Sequence, residues 1–133
     1  MKPVYLFTYG TLMSGFNNSM ALYLRKNAQL IAKARFNGLL FDLGSYPGAI
    51  YQEDSKHKVF GEVYQLSSNS NVIFEILDVY EGINDPDFNL YERKVIPVNV
   101  NNNVYNNFVY LLRETPKASL INGGDYNLYI NDK

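Results

Sequence analysis

The sequence predicts an α+β fold built on a barrel-like or strongly curved sheet, and three observations point there. Several segments alternate apolar and polar residues with a period of two, the signature of strands. Ser67 to Gly82 instead places Ile73, Ile76, Leu77 and Tyr80 at i, i+3, i+4 and i+7, the stripe of an amphipathic helix. Glycines interrupt several of the strands, which permits bulges and sharp curvature.

Taken in order, Val4 to Tyr9 is apolar, β-prone and almost free of charge, the pattern of a strand buried on both faces. It stops at Gly10, and Thr11 through Asn18 is polar and small. Gly10 supports two readings. It either ends a core strand, or it takes φ > 0 so that a ligand approaches the main chain and successive N–H groups form an anion-binding nest.

Asn17 to Asn27 reads as a short helix capped by Asn18 or Ser19, with Arg25 and Lys26 at its negative end. Leu30 to Asn37 reads as a strand in which Ile31 breaks the alternation, and Gly38 permits a bend or bulge before Leu39-Leu40-Phe41 continues. Gly44-Ser45-Tyr46-Pro47-Gly48 is expected to be a loop, Ala49-Ile50-Tyr51 a short strand and Glu53 to Lys58 a charged turn. Val59 to Leu66 is expected to put Phe60, Glu62, Tyr64 and Leu66 on one face. The helix is expected to be capped near Ser68, Asn69 or Ser70 and ended by Gly82. Asn84 to Asn89 reads as a polar loop around Pro86. Tyr91 to Val100 and Val104 to Leu112 form a hairpin through Asn101-Asn102-Asn103, where asparagine tolerates positive φ. The tail carries Gly123-Gly124, Tyr126 and Tyr129.

At 133 residues the chain suits one domain spanning residues 1–133, with a single sizeable core. It has 47% hydrophobic and 15% aromatic residues and a formal net charge of −1, so it lacks the electrostatic footprint of a nucleic-acid binder. It contains no cysteine, which excludes disulfides, thiol catalysis and zinc–thiolate sites. Met1-Lys2-Pro3 leads straight into the first strand without the pattern of a signal peptide, and no apolar run is long enough to span a bilayer. The expected setting is the cytoplasm, with no membrane partner.

The most informative carboxylate is Glu81. The last turn of a helix favours Lys, Arg or His, yet this one ends Leu77-Asp78-Val79-Tyr80-Glu81-Gly82, with two acids and no base. Glu81 is either a solvated acid at a frayed end or an acid among tyrosines whose proton affinity is raised, suited to general acid–base work near neutral pH. His57, between two lysines at a turn, has no second His to build a metal site. Ser14 and Ser19 lack a His partner and a nucleophile-elbow pattern. Glu62 sits among aromatics in a strand, where a structural role fits better than catalysis. Glu92 and Arg93 suggest a cross-strand ion pair, and Asp125 a turn or cap residue.

Tyr9-Gly10-Thr11-Leu12, Tyr46-Pro47-Gly48, Gly61-Glu62-Val63-Tyr64, Leu77-Asp78-Val79-Tyr80-Glu81-Gly82, Tyr91-Glu92-Arg93, Tyr110 and Gly124-Asp125-Tyr126 occur in this order over nearly the whole chain. In these motifs the sequence resembles the γ-glutamylcyclotransferase-like (AIG2-like) family, in particular its short bacterial and γ-glutamylamine-cyclotransferase-like members. The resemblance implies a small mixed β-barrel with flanking short helices and a cavity at one end. It implies Glu81 as the acid–base residue, and Tyr9, Gly10, Thr11, Leu12, Tyr46, Gly48, Tyr91 and Tyr110 as substrate-binding residues. The implied reaction, of lyase or acyltransferase type, releases 5-oxoproline and a free amine from a small γ-glutamyl amine or amide and needs no metal or cofactor. The alternative is a non-catalytic module that uses the same cavity to bind a small carboxylate or amine.

Overall fold

A computed structural model describes residues 3–87 and 89–131. Five strands close into a ring in the order β2 (Ala28–Asp42), β4 (Lys58–Leu66), β1 (Val4–Thr8), β6 (Asn103–Leu112) and β5 (Tyr91–Val100). The β5–β2 contact that completes the ring pairs Asn99 with Arg35. The β1–β6 contact is parallel and the other pairings are antiparallel, so the barrel is mixed. β3 (Pro47–Tyr51) and β7 (Ser119–Leu120) pair with the far end of β2. Three short helices flank the barrel: α1 (Ser19–Asn27), α2 (Ser70–Glu81) and α3 (Tyr126–Asn131). Among the described residues no helix is long and apolar enough to cross a membrane.

Because successive strand residues face opposite sides, the ring divides its apolar residues in two. Phe7, Phe36, Val59, Val63, Val98 and Val109 form one buried cluster inside the barrel. Leu6, Tyr64 and Leu66 point outward and pack with Leu24 of α1 and Ile73, Phe74 and Leu77 of α2. This explains the near-continuous apolar run of β1: Phe7 fills the barrel while Leu6 meets the helices.

Two helix starts are capped by side chains, whereas Asn69, at the start of α2, makes no side-chain cap bond. The Asn18 side chain accepts from the Ala21 N–H at 2.8 Å, and the Asp125 carboxylate accepts from the Leu128 N–H at 3.2 Å at the start of α3. Gly82 ends α2 in the left-handed region at φ 74°. Its N–H donates to Val79 C=O at 3.1 Å and the Ile83 N–H to Asp78 C=O at 2.9 Å, a Schellman closure. Asn101 and Asn102, at φ 48° and 71°, make the two-residue turn of the β5–β6 hairpin.

Four expectations change. Ile31, which breaks the alternation, marks the register shift of β2 against β4, so the bulge lies there rather than at Gly38. Pro47 and Gly48 belong to β3, paired with Asp42 and Phe41, and the loop is confined to the residues before them. The buried stripe of α2 is Ile73, Phe74 and Leu77, whereas Ile76 and Tyr80 are exposed. The sheet meets α2 on a face rotated toward Phe74, whose ring packs on Phe108 at 4.8 Å. On β4, Glu62, Tyr64 and Leu66 are buried but Phe60, near the strand's end, is exposed.

Candidate active site

A cavity of about 550 Å³ opens where the end of β1, the start of β3 and the C-terminus of α2 converge. One wall is the turn after β1. The Met13 N–H closes it on Gly10 C=O at 3.0 Å, and the amides of Gly10, Thr11 and Leu12 donate to no other described residue. Gly10 is required for a different reason from the one its sequence suggests. Its φ is not positive; instead a Cβ there would stand 2.7 Å from Cγ and 2.9 Å from Cδ of Pro47. The turn is held against the helix by Thr11, whose hydroxyl lies 3.2 Å from that of Tyr80.

The opposite wall is the end of α2. Its two acids have been separated by their surroundings. Asp78 is held by partners: Arg93 Nη1 donates to both its carboxylate oxygens at 3.0 and 2.9 Å, and the Tyr110 hydroxyl donates to Oδ1 at 2.6 Å. The Arg93 guanidinium itself lies 4.1 Å above the Phe74 ring, a cation–π contact that orients it. Glu81 has no hydrogen-bond or ion-pair partner among the described residues and lines the cavity. Burial, and then the charge of Asp78, push its carboxyl up from the ordinary 4.5 to about 7.

Three tyrosines present rings to the cavity but spend their hydroxyls on the framework. Tyr9 donates to Tyr110 C=O at 2.6 Å and accepts from the Ala49 N–H at 3.2 Å. Tyr91 donates to Pro47 C=O at 2.7 Å, and Tyr110 donates to Asp78. Burial is the largest cause raising all three hydroxyl pKa values, so each stays a donor. The Tyr46 ring lies 6.4 Å from that of Tyr91.

Of the residues singled out in the sequence, Tyr9, Gly10, Thr11, Leu12, Tyr46, Glu81, Tyr91 and Tyr110 all line the cavity. Gly48 is not among the described lining residues; it sits in β3, where a Cβ would come within 2.6 Å of Leu112 side-chain carbons. Pro47, Tyr80 and Asp85 also line the site and were not singled out as site residues. Pro47 and Tyr80 stand inside the quoted motifs, whereas Asp85 lies in a polar loop with no pattern to mark it. Arg93 binds Asp78 rather than forming a cross-strand pair, and Glu92 pairs with Lys94 at 3.0 Å on its own strand. His57 is exposed. Among the described residues no group of three or more His, Cys, Asp or Glu side chains is placed to hold a metal ion.

Residues 6–128 match the family model described as gamma-glutamyl cyclotransferase, AIG2-like. The chain belongs to this family. Solved structures similar to this AIG2-like chain share its fold at low identity. An AIG2-like protein from Mus musculus is 23% identical with a TM-score of 0.73, over 95% of this chain and 89% of that one. YkqA from Bacillus subtilis is 22% identical with a TM-score of 0.73, over 99% of this chain but 44% of YkqA, so this chain spans less than half of that protein. A structure described as gamma-glutamyl cyclotransferase is 17% identical with a TM-score of 0.65, over 90% of this chain and 72% of that one. None of the curated proteins searched matches the AIG2-like chain.

Proposed function

We propose that this cavity closes a small γ-glutamyl amine or amide on itself, releasing 5-oxoproline and a free amine. Such a substrate carries its own nucleophile. Glu81 takes a proton from the α-ammonium, and the freed α-nitrogen forms a bond to the γ-carbonyl carbon. The bond from that carbon to the leaving nitrogen then breaks as that nitrogen takes the proton held by Glu81, and the second proton of the former α-nitrogen passes to the released amine, so that 5-oxoproline leaves as a neutral lactam and the amine as its ammonium ion. One carboxyl group performs both transfers, and a pKa of about 7 leaves it neither a poor base nor a poor acid at neutral pH.

The observation that carries this reading is Glu81, unpartnered and raised in pKa, facing a turn with undonated amides across the same cavity. No Lys, Arg or His is among the described lining residues. A substrate carboxylate or a developing oxyanion would therefore be met by the N–H groups of Gly10, Thr11 and Leu12. Holding the α-nitrogen and γ-carbonyl in contact would supply up to ~7–11 kcal/mol of the barrier, and proton transfer by Glu81 about 10²–10⁴-fold in rate.

The test is 5-oxoproline release from γ-glutamyl amines, γ-glutamyl amino acids and glutathione. Turnover of at least one γ-glutamyl amine is expected, and Glu81→Gln should abolish it without unfolding the protein. Saturable thermal stabilisation by a ligand with no product would make the cavity a binding module instead.

A further inference from the structure

Glu62 is a buried acid, paired across the sheet with Thr8 and Lys33, that the proposed chemistry does not use. It lies on β4 opposite Thr8, at the level where β1 ends and the substrate turn begins, and it is only 8% exposed. A barrel strand at this depth is ordinarily filled by an apolar residue, since a buried charge is costly unless well satisfied. Both oxygens of Glu62 are directed at one residue of the turn. Oε1 accepts from the Ser14 backbone N–H at 2.6 Å, and Oε2 accepts from the Ser14 hydroxyl at 2.7 Å. These are short, part-buried bonds to a carboxylate, the strong class of hydrogen bond.

The remaining polar group of Ser14 is held from the other side. Arg25 Nη1 donates to Ser14 C=O at 2.9 Å and to Phe16 C=O at 2.7 Å. Asn18 Nδ2 donates to Thr11 C=O at 2.7 Å, tying the same turn to the start of α1. Ser14 is thus fixed through its N–H, hydroxyl and carbonyl, two residues after the last undonated amide. Without Glu62 the turn keeps the Gly10–Met13 closure, but its Ser14 end loses both acceptors.

We propose that Glu62 is a positioning residue: through Ser14 it fixes the direction of the Gly10, Thr11 and Leu12 amides toward the substrate. This rests on the cyclotransferase reading of the cavity. Binding groups misplaced by about 1 Å can cost ~10²-fold, and misplacing amides that hold a substrate carboxylate falls on substrate binding rather than on the proton chemistry of Glu81.

The test compares Glu62→Leu, which removes both acceptors, with Glu62→Gln, whose carbonyl still accepts from the Ser14 N–H and whose amide donates to the Ser14 oxygen. With the γ-glutamyl amine that turns over best, Glu62→Leu is expected to raise KM at least tenfold. The pH midpoint of kcat should not move, and Glu62→Gln should recover most of the loss. A wild-type KM in Glu62→Leu overturns the proposal. So does a fall in kcat at unchanged KM that tracks a loss of folded protein in both variants.

Hydrogen exchange at the Met13 and Ser14 amides, the two in the turn that donate to protein acceptors, supplies a readout independent of turnover. Glu62→Leu should accelerate exchange there while leaving the β5–β6 hairpin unchanged, and equal protection in wild type and variant overturns the proposal. If no γ-glutamyl compound is turned over by the wild type, the cyclotransferase reading fails. The exchange measurement still decides whether Glu62 orders the turn.

Discussion

Replacing Glu81 by Gln keeps the shape of the helix end but removes its titrating proton, and the consequence for stability can be worked out from the site. In the unfolded chain the carboxyl ionises near its ordinary 4.5, whereas in the fold it does so near 7. Between those values the unfolded chain has released a proton that the folded chain retains. The native state therefore loses stability as pH rises through this window, and the loss is complete above it. A rise from 4.5 to about 7, at ~1.36 kcal/mol per pH unit, sets the total at about 3 kcal/mol. Glu81 keeps some solvent exposure, so this is a ceiling. Glu81→Gln should match wild type at pH 4 and become progressively more stable relative to it up to pH 7, with a constant gap beyond. For a chain of this length the gap corresponds to a Tm difference of up to ~10 °C. Thermal or urea unfolding of both proteins from pH 4 to 8 measures it. A difference that does not vary with pH would show that Glu81 titrates as an ordinary carboxyl, and the acid–base assignment would lose its physical basis.

Two other substitutions probe the framework. Asp78→Asn removes the second cause of the raised Glu81 pKa, so the acid limb of the kcat profile should move below 7 while staying above 4.5. The same change weakens the grip on Arg93 and Tyr110 and should cost ~1–3 kcal/mol in unfolding; an unmoved acid limb would exclude the Asp78 field as a cause. Gly48→Ala places a methyl group 2.6–2.7 Å from three Leu112 carbons and should destabilise by ~1–3 kcal/mol. Leu112→Ala in the same chain should recover part of that loss, and simple additivity would mean that the two side chains do not compete for one space.

The elements legible in the sequence are those whose pattern is local. β1, the asparagine hairpin, the cap at Asn18 and the Gly82 terminus each follow from residues within a few positions of one another. Pro47 and Gly48 misled because proline and glycine carry turn propensity, whereas pairing with Asp42 and Phe41 on β2 places them in a strand. The face of α2 could not be read because Ile76 and Ile73 are equally apolar; the choice of Phe74 over Ile76 is made by the outer surface of β6. In the site, Glu81 stood out as an acid at an end that repels it. Its separation from Asp78 was not legible, since that depends on Arg93 and Tyr110, 15 and 32 residues away.

The same long-range bonds decide what is left for a ligand. The hydroxyls of Tyr9, Tyr91 and Tyr110 would be natural donors to a carboxylate, but each already donates to a carbonyl or to Asp78. Withdrawing them would leave buried partners unsatisfied, a cost that a bound ligand would have to offset. The cavity groups with no such commitment are the amides after β1 and the carboxyl of Glu81. These groups lie about seventy residues apart in the chain. They meet because β1 and α2 pack through Leu6, Ile73 and Leu77 in one cluster, and because the Thr11 and Tyr80 hydroxyls meet across the cavity. The barrel's tyrosines thus act as rings and braces. In the proposed reaction, chemistry is left to one main-chain turn and one acid.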